Sequence, residues 1–296
     1  EGLLPAMPAQ PDTAYTEPTS APVATRTPRP FVPPAVTDGD QTWLVMLYQD
    51  ADDKILEHDI YVDLNEAERV GSSDQVHIVS QVDRYRGGFT GDGNWSSTKR
   101  LYVDLDDDLE TVYSQEIADL GEVNMADGET LVDFVTWAIE TFPAEKHELI
   151  LSDHGLGWPG GWSDPTSGGR GNDNVALADM GDQLFLMELD EALQEIRDRT
   201  GLAQFELIGM DACLMGHLEV FTMLAPHARD AVASQETEPA LGWAYTSFLG
   251  ALQQNPGVDG ATLGNWIVDS YIQEDQRIVD DQARAQLLSR GSPLGG

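Results

Sequence analysis

Short hydrophobic runs alternate along this chain with stretches in which apolar residues return every three or four positions. The runs predict buried strands at 42–49, 75–82, 99–103, 148–152, 205–211 and 230–235. The helical spacing predicts helices at 58–70, 127–141, 187–199, 214–224, 245–254 and 260–273. In the first helix, Ile60, Leu64, Ala67 and Val70 fall on one face. Asp127 is placed to cap its helix, with Pro143 just beyond the far end, and Gly201 stops the helix before it. Residues 83–98 read as a glycine-rich loop or hairpin, and 156–181 as a long loop. No internal repeat interrupts the order. Strands alternating with helices imply an α/β fold, a mainly parallel sheet covered on both faces.

Composition narrows the partners. With 16 basic and 52 acidic residues, the formal charge is −36. Nucleic acid and anionic membranes, which need clustered Lys and Arg, are poor partners for such a chain. Cationic peptides would be attracted. Lysine occurs only at 54, 99 and 146. This Asp-rich, Lys-poor balance suits a salty or harsh exterior. There is no transmembrane-length apolar run. Residues 1–38 hold nine of the 16 prolines, mixed with Thr, Ala and Ser. They read as a disordered tether, of the kind that follows a secretion signal or lipid anchor. The chain begins at Glu1, so a removed upstream segment and an extracellular or envelope-attached location are expected. Residues 39–288 form the expected folded domain, and 289–296 a loop or tail.

Two strand ends carry the candidate chemistry. Glu148-Leu-Ile-Leu-Ser-Asp-His154-Gly155 closes one strand, and Phe205-Glu-Leu-Ile-Gly-Met-Asp211-Ala-Cys213 closes another. Cys213 is the only cysteine in 296 residues. In a parallel sheet the carboxyl ends of neighbouring strands share an edge, and their loops converge on a crevice. A thiol needs a nearby base to become a nucleophile near neutral pH, so His154 and Cys213 read as base and nucleophile. Cys213 is expected to open the 214–224 helix, whose positive end would favour a thiolate. The plain alternative is a buried, inert cysteine.

These strings resemble the clostripain family of cysteine peptidases, relatives of the caspases, gingipains and legumains. The resemblance runs over about residues 42–275. It includes Trp43-Leu-Val-Met-Leu-Tyr48 with Asp50, Asp52 and Asp53, the Asp63-Leu-Asn-Glu-Ala67 helix, and the Trp158-Pro-Gly-Gly-Trp162 loop. Ser234-Gln-Glu-Thr-Glu-Pro239 and Gly242-Trp243 complete it. It implies a caspase-like three-layer sandwich, with His154 as general base and Cys213 as nucleophile. It implies an oxyanion hole at the N–H groups of Gly155 and Cys213. Chains of that family usually continue with further strands, so this chain would be a fragment or a shorter relative.

Asp211 lies two residues before Cys213 on the same strand face. There its carboxylate would favour Arg or Lys in a substrate and reject acidic side chains. The basic preference of clostripain-like enzymes agrees. Asp211 bonded only to nearby backbone is the structural alternative. Glu236 is the expected second acid, with Glu238 as its rival. His217 would share a helical face with Cys213 and is a weaker rival base. Asp50, Asp52, Asp53 and the 104–108 acidic run offer oxygen ligands for calcium, which some clostripain-like enzymes need. A solvated acidic face is the plainer reading of these residues. There is no EF-hand spacing, zinc-ligand cluster or P-loop.

The combined expectation is a cysteine endopeptidase cutting after Arg, perhaps Lys, with no cofactor needed for the chemistry. Arg170 is the only basic residue of the 156–181 loop, lies between base and nucleophile, and is the expected self-cleavage point. Two rivals come from other classes. One is an inactive acidic or calcium-dependent surface module on the same fold. The other is a thiol acyltransferase.

Overall fold

The structure, a computed structural model, describes residues 42–165 and 182–271. The expected tether, the tail, the Arg170 cleavage point and the last residues of the 260–273 helix lie outside the described residues.

Strand β1 (Trp43–Ala51) is the middle of a seven-stranded sheet, and all nine of its residues are buried. Full burial requires cover on both faces. Alternate side chains go to opposite faces of a strand. Leu44, Met46 and Tyr48 accordingly pack with apolar residues of α2 (Gly128–Thr141), α3 (Leu186–Thr200) and α4 (Leu218–Leu224). Trp43, Val45 and Leu47 pack with α1 (Glu57–Glu68), α5 (Tyr245–Gln254) and α6 (Gly260–Ser270). The alternation in one strand thus fills two cores and produces three layers.

The other strands of the sheet are β2 (Val76–Arg84), β3 (Thr98–Tyr102), β4 (Gln115–Gly121), β5 (Lys146–Ser152), β8 (Phe205–Asp211) and β9 (Ala228–Ala233). Their order is β4-β3-β2-β1-β5-β8-β9. β2, β1, β5, β8 and β9 run parallel, whereas β3 and β4 form an antiparallel edge. Local signals fix the helix ends as expected: the Asp127 carboxylate accepts the Glu129 N–H at 2.9 Å, and Gly201 ends α3 at φ 74°.

Three features differ from the sequence expectation. β4 lies where no strand is predicted, because an exposed edge strand needs no apolar face and shows no alternation. The 156–181 stretch is not all loop: β6 (Gly160–Asp164) pairs antiparallel with β7 (Asp182–Phe185). The helix after Cys213 starts at Leu218, not at 214. The intervening N–H groups are already taken: Leu214 N–H donates to Glu236 O at 3.0 Å and Gly216 N–H to Ser234 O at 2.6 Å.

Candidate active site

Strand register brings the two candidate residues together. Ser152 of β5 pairs with Asp211 of β8, and the Asp153 N–H reaches Asp211 O at 3.4 Å. His154 and Cys213 each lie two residues beyond the paired positions, so they leave neighbouring parallel strands at the same level. The two turns touch through backbone. A Cβ on Gly155 would stand 2.0 Å from Cys213 O, so only glycine fits there. His154, Gly155, Asp211 and Cys213 all line one cleft of about 580 Å³.

Cys213 sits in a turn and not at a helix N-terminus, which removes the helix dipole as the source of its activation. Leu214, immediately after it, has φ 62°, a left-handed conformation that leucine seldom adopts. The loop hydrogen bonds from Leu214 and Gly216 hold that turn in place. The sulfur instead meets the Glu238 N–H, which donates to Sγ at 3.2 Å. Burial pushes the thiol pKa up, and the Glu238 and Asp211 charges add to this, against the Glu238 N–H. The resting sulfur therefore keeps its proton and needs a base to remove it.

His154 has an acid beside it that sequence reasoning valued only as part of a family resemblance and a calcium candidate. Its Nε2 lies 3.4 Å from Asp53 Oδ1. The same oxygen accepts the Ile55 and Leu56 N–H groups at 2.7 and 2.8 Å, which fixes the carboxylate in its turn. Burial alone would raise the Asp53 pKa, but the bonds from His154 and these backbone groups hold it below the ordinary value. In return, the hydrogen bond to Asp53 raises the His154 pKa against the opposing effect of burial. With Nε2 engaged, Nδ1 remains to take a proton. The signal for Asp53 was an acidic string just past a buried strand, and its role depends on a loop packing that sequence does not encode locally.

Asp211 lines the cleft and is also tied to nearby groups. It is a cleft residue, yet its Oδ2 accepts the Trp243 N–H at 3.2 Å and the Tyr245 hydroxyl at 2.9 Å. Burial, then the Asp211 and Asp63 charges, keeps the Tyr245 phenol protonated as a donor. Glu238 and not Glu236 lines the cleft, so the expected place of Glu236 needs correction. Glu236 is exposed and is not among the cleft-lining residues; its carbonyl serves the Leu214 N–H. Glu238, two residues on, turns into the cleft and is buried. Burial and then the Asp211 charge raise the Glu238 pKa.

His217 is also corrected. It precedes α4 as its N-cap and so is not one helical turn behind the thiol; its ring lies by Gly157. His77 bonds Tyr102 and His227 bonds Asp190, so both are satisfied locally. The acidic strings divide. Asp50 and Asp52 are fully buried rather than part of a solvated face, Asp53 serves His154, and Asp104, Asp107 and Asp108 are exposed.

Comparison with known proteins bears on the family and the fold. The family model of the clostripain family matches residues 47–287. The chain belongs to the clostripain family. Clostripain of Hathewaya histolytica is 26% identical over 251 residues, which is 76% of this chain and 45% of clostripain. The chain thus spans less than half the length of that curated relative. Among solved structures, a secreted C11 cysteine protease of Bacteroides thetaiotaomicron in complex with an irreversible peptide inhibitor superposes with a TM-score of 0.57. It is 22% identical, over 79% of this chain and 58% of that one. An inactive zymogen C11 protease of Parabacteroides distasonis gives a TM-score of 0.56 at 19% identity, over 81% and 61%. These likenesses establish the caspase-like fold. No described helix is long and apolar enough to cross a membrane.

Proposed function

We propose that this clostripain-family chain is a cysteine endopeptidase that cuts after Arg, with Lys as second choice. The observation that carries the reading is the convergence of Cys213 and an Asp53-held His154 from adjacent strand ends on one cleft. His154 takes the Sγ proton as sulfur attacks the substrate carbonyl carbon. The N–H groups of Gly155 and Cys213 receive the oxyanion. Gly155 suits this role because the hydrogen bonds of its bridge to Gly161 come from its neighbours, Leu156 N–H to Gly160 O and Trp162 N–H to His154 O. His154 then protonates the leaving amine, and water cleaves the thioester. Asp53 is a positioning residue: it fixes the ring and stabilises its charged form.

Asp211 and Glu238 supply the selectivity. Two buried carboxyls sharing a proton in a cleft offer a bidentate partner to a guanidinium, which would displace that proton. An acidic side chain would meet repulsion there. The same preference would direct self-cleavage after Arg170, which lies outside the described residues. Secretion of a solved relative and the −36 charge support an exterior location. Calcium, if used, would hold structure and not react, since the chemistry needs only the thiol, the imidazole and backbone donors.

The test is hydrolysis of fluorogenic peptides ending in Arg, Lys, Leu or Asp by wild type, Cys213→Ala and His154→Ala. Arg cleavage lost in both variants supports the reading; hydrolysis retained in pure Cys213→Ala overturns it. Intact mass after incubation tests self-processing. A cut after Arg170 in the wild type, absent from Cys213→Ala, is expected. A chain that stays whole while it hydrolyses Arg peptides would remove that part.

A further inference from the structure

The turn that carries Asp53 has little packing of its own. Lys54 and Ile55 are exposed, and Leu56 packs only partly against the core. Hydrogen bonds to the start of α1 fix it instead. Asp53 Oδ1 accepts the Ile55 and Leu56 N–H groups, and Asp53 O accepts the Glu57 N–H at 3.0 Å. Asp53 therefore moves with the first residue of α1, and its place beside His154 depends on what holds Glu57.

Arg84, the last residue of β2, holds it. The Glu57 and Arg84 side chains are 2% and 0% exposed. Arg84 Nε donates to Glu57 Oε1 at 3.1 Å, and the Phe89 N–H donates to Oε2 at 2.6 Å. The guanidinium also lies 4.9 Å from the ring centre of Tyr61, one turn further along α1, and 4.6 Å from that of Trp95. Rings that keep water from the pair strengthen it. The same residue closes the other end of the turn. Arg84 pairs with Ala51 at the end of β1, and the Tyr85 N–H donates to Ala51 O at 3.2 Å. The β2 backbone thus grips residue 51, and the Arg84 side chain grips residue 57. The segment between them, which bears Asp53, is pinned at both ends to one strand end. Space around the pair is tight: a Cβ on Gly88 would collide with Glu57 Oε2.

We propose that Arg84 and Glu57 are positioning residues for the base, acting through Asp53. Their role rests on the proposed pairing of Asp53 with His154 and deepens it, because they set its distance. A buried ion pair of this kind adds little net stability, since desolvation offsets its attraction. Its directional bonds fix one geometry. His154 Nε2 is already 3.4 Å from Asp53 Oδ1, so a small drift of the turn breaks that contact. The imidazolium then loses its partner, and His154 takes the Cys213 proton less readily. Asp53 and Asp153 are the charges acting on His154. Asp153 is tied to the Ser163 N–H, outside this brace.

The test reads the proton on His154 by NMR in the full chain carrying Cys213→Ala, with the ring signals assigned by His154→Ala. Turnover is measured in the matching variants with Cys213 intact. Arg84→Met with Glu57→Gln removes both charges together and leaves neither buried alone, so the fold should survive. This double variant should weaken proton binding by His154 about threefold and lower kcat about fivefold, with little change in KM. Asp53→Asn should do the same more strongly, and the double substitution added to Asp53→Asn should weaken proton binding no further. Glu116→Gln, which breaks the exposed pair with Lys99, should leave both readings unchanged. A brace that serves stability alone would lower the melting temperature and leave proton binding by His154 unmoved. That result in the double variant, with Asp53→Asn effective, overturns the proposal and spares the pairing of Asp53 with His154. An ineffective Asp53→Asn overturns both. If the double variant does not fold, Gly88→Ala decides, since its Cβ would push the Glu57 carboxylate aside. Unchanged proton binding by His154 in Gly88→Ala would then overturn the proposal.

Discussion

Two acidic groups share one edge of this sheet and are built in opposite ways. Asp211 and Glu238 face a cleft, and Asp211 is met by two donors, Trp243 N–H and Tyr245 O–H. Asp52, Asp83, Glu122 and Asp164 crowd together with buried oxygen atoms left over. The first group opens onto the cleft, and two donors answer Asp211 there. The second is answered only in part: the Met125 N–H donates to Asp164 Oδ2 at 2.7 Å and the Arg84 N–H to Asp83 Oδ1 at 2.9 Å, while Asp83 Oδ2 accepts no hydrogen bond. Burial of like charge is therefore not one signal. The donors and the free volume around it decide whether it reads as a guest site or a structural one.

The largest expected effect separates the two groups by chemistry. Cys213→Ala and His154→Ala should each cut Arg-peptide hydrolysis by at least about a thousandfold, as losses of nucleophile or base commonly do. Their circular dichroism and melting temperature should match the wild type. If activity vanishes together with circular dichroism, the fold has been lost and not the chemistry alone.

Asp211→Asn comes next. Losing one buried charged partner should cost about 2–3 kcal/mol of Arg recognition, measured as the ratio of kcat/KM for Arg against Leu peptides. Asp83→Asn should leave this ratio unchanged. An equal fall for Arg and Leu in Asp211→Asn would make Asp211 structural and erase the contrast between the groups.

Asp53→Asn sharpens the link between them. Loss of its charge-assisted hydrogen bond should lower kcat by roughly tenfold. Because that bond raises the His154 pKa, removing it should move the acid limb of the rate profile to lower pH. A profile that drops without shifting would show that Asp53 acts only on structure.

Glu148 is an internal control: a carboxyl buried alone, with neither oxygen bonded and its pKa pushed up to about 8 by burial. The native state holds its proton more tightly than the unfolded chain, whose group titrates near 4.5. Stability should therefore fall as pH rises from about 4.5 to 8, and Glu148→Gln should remove most of that fall. Thermal melts across pH check this.

Much of the fold was legible because its signals are local. The buried runs, the 3.6-residue spacing, the Asp127 cap and the Gly201 stop act within a few residues of themselves. β4 was not legible, since an edge strand buries little. The late start of α4 was hidden for another reason. Nothing in the apolar spacing of residues 214–217 forbids a helix, but Glu236 O and Ser234 O accept the Leu214 and Gly216 N–H groups from across the loop. The same distant segment exchanges Glu236 for Glu238 in the cleft, a two-residue difference that periodicity in a loop cannot resolve.

By itself the sequence determined a parallel α/β sheet and the delivery of one histidine and one cysteine by strand ends, because strand periodicity and the shared edge of parallel strands follow from backbone geometry alone. Only tertiary structure decided what stands around those ends: Asp53 on His154, the Glu238 N–H on Cys213, and carboxylates from four separate segments at one point. Each of these is a contact between residues far apart in the chain, set by how loops pack. A carboxylate's charge, partner and role depend on that packing, whereas its place in the sequence is silent about it.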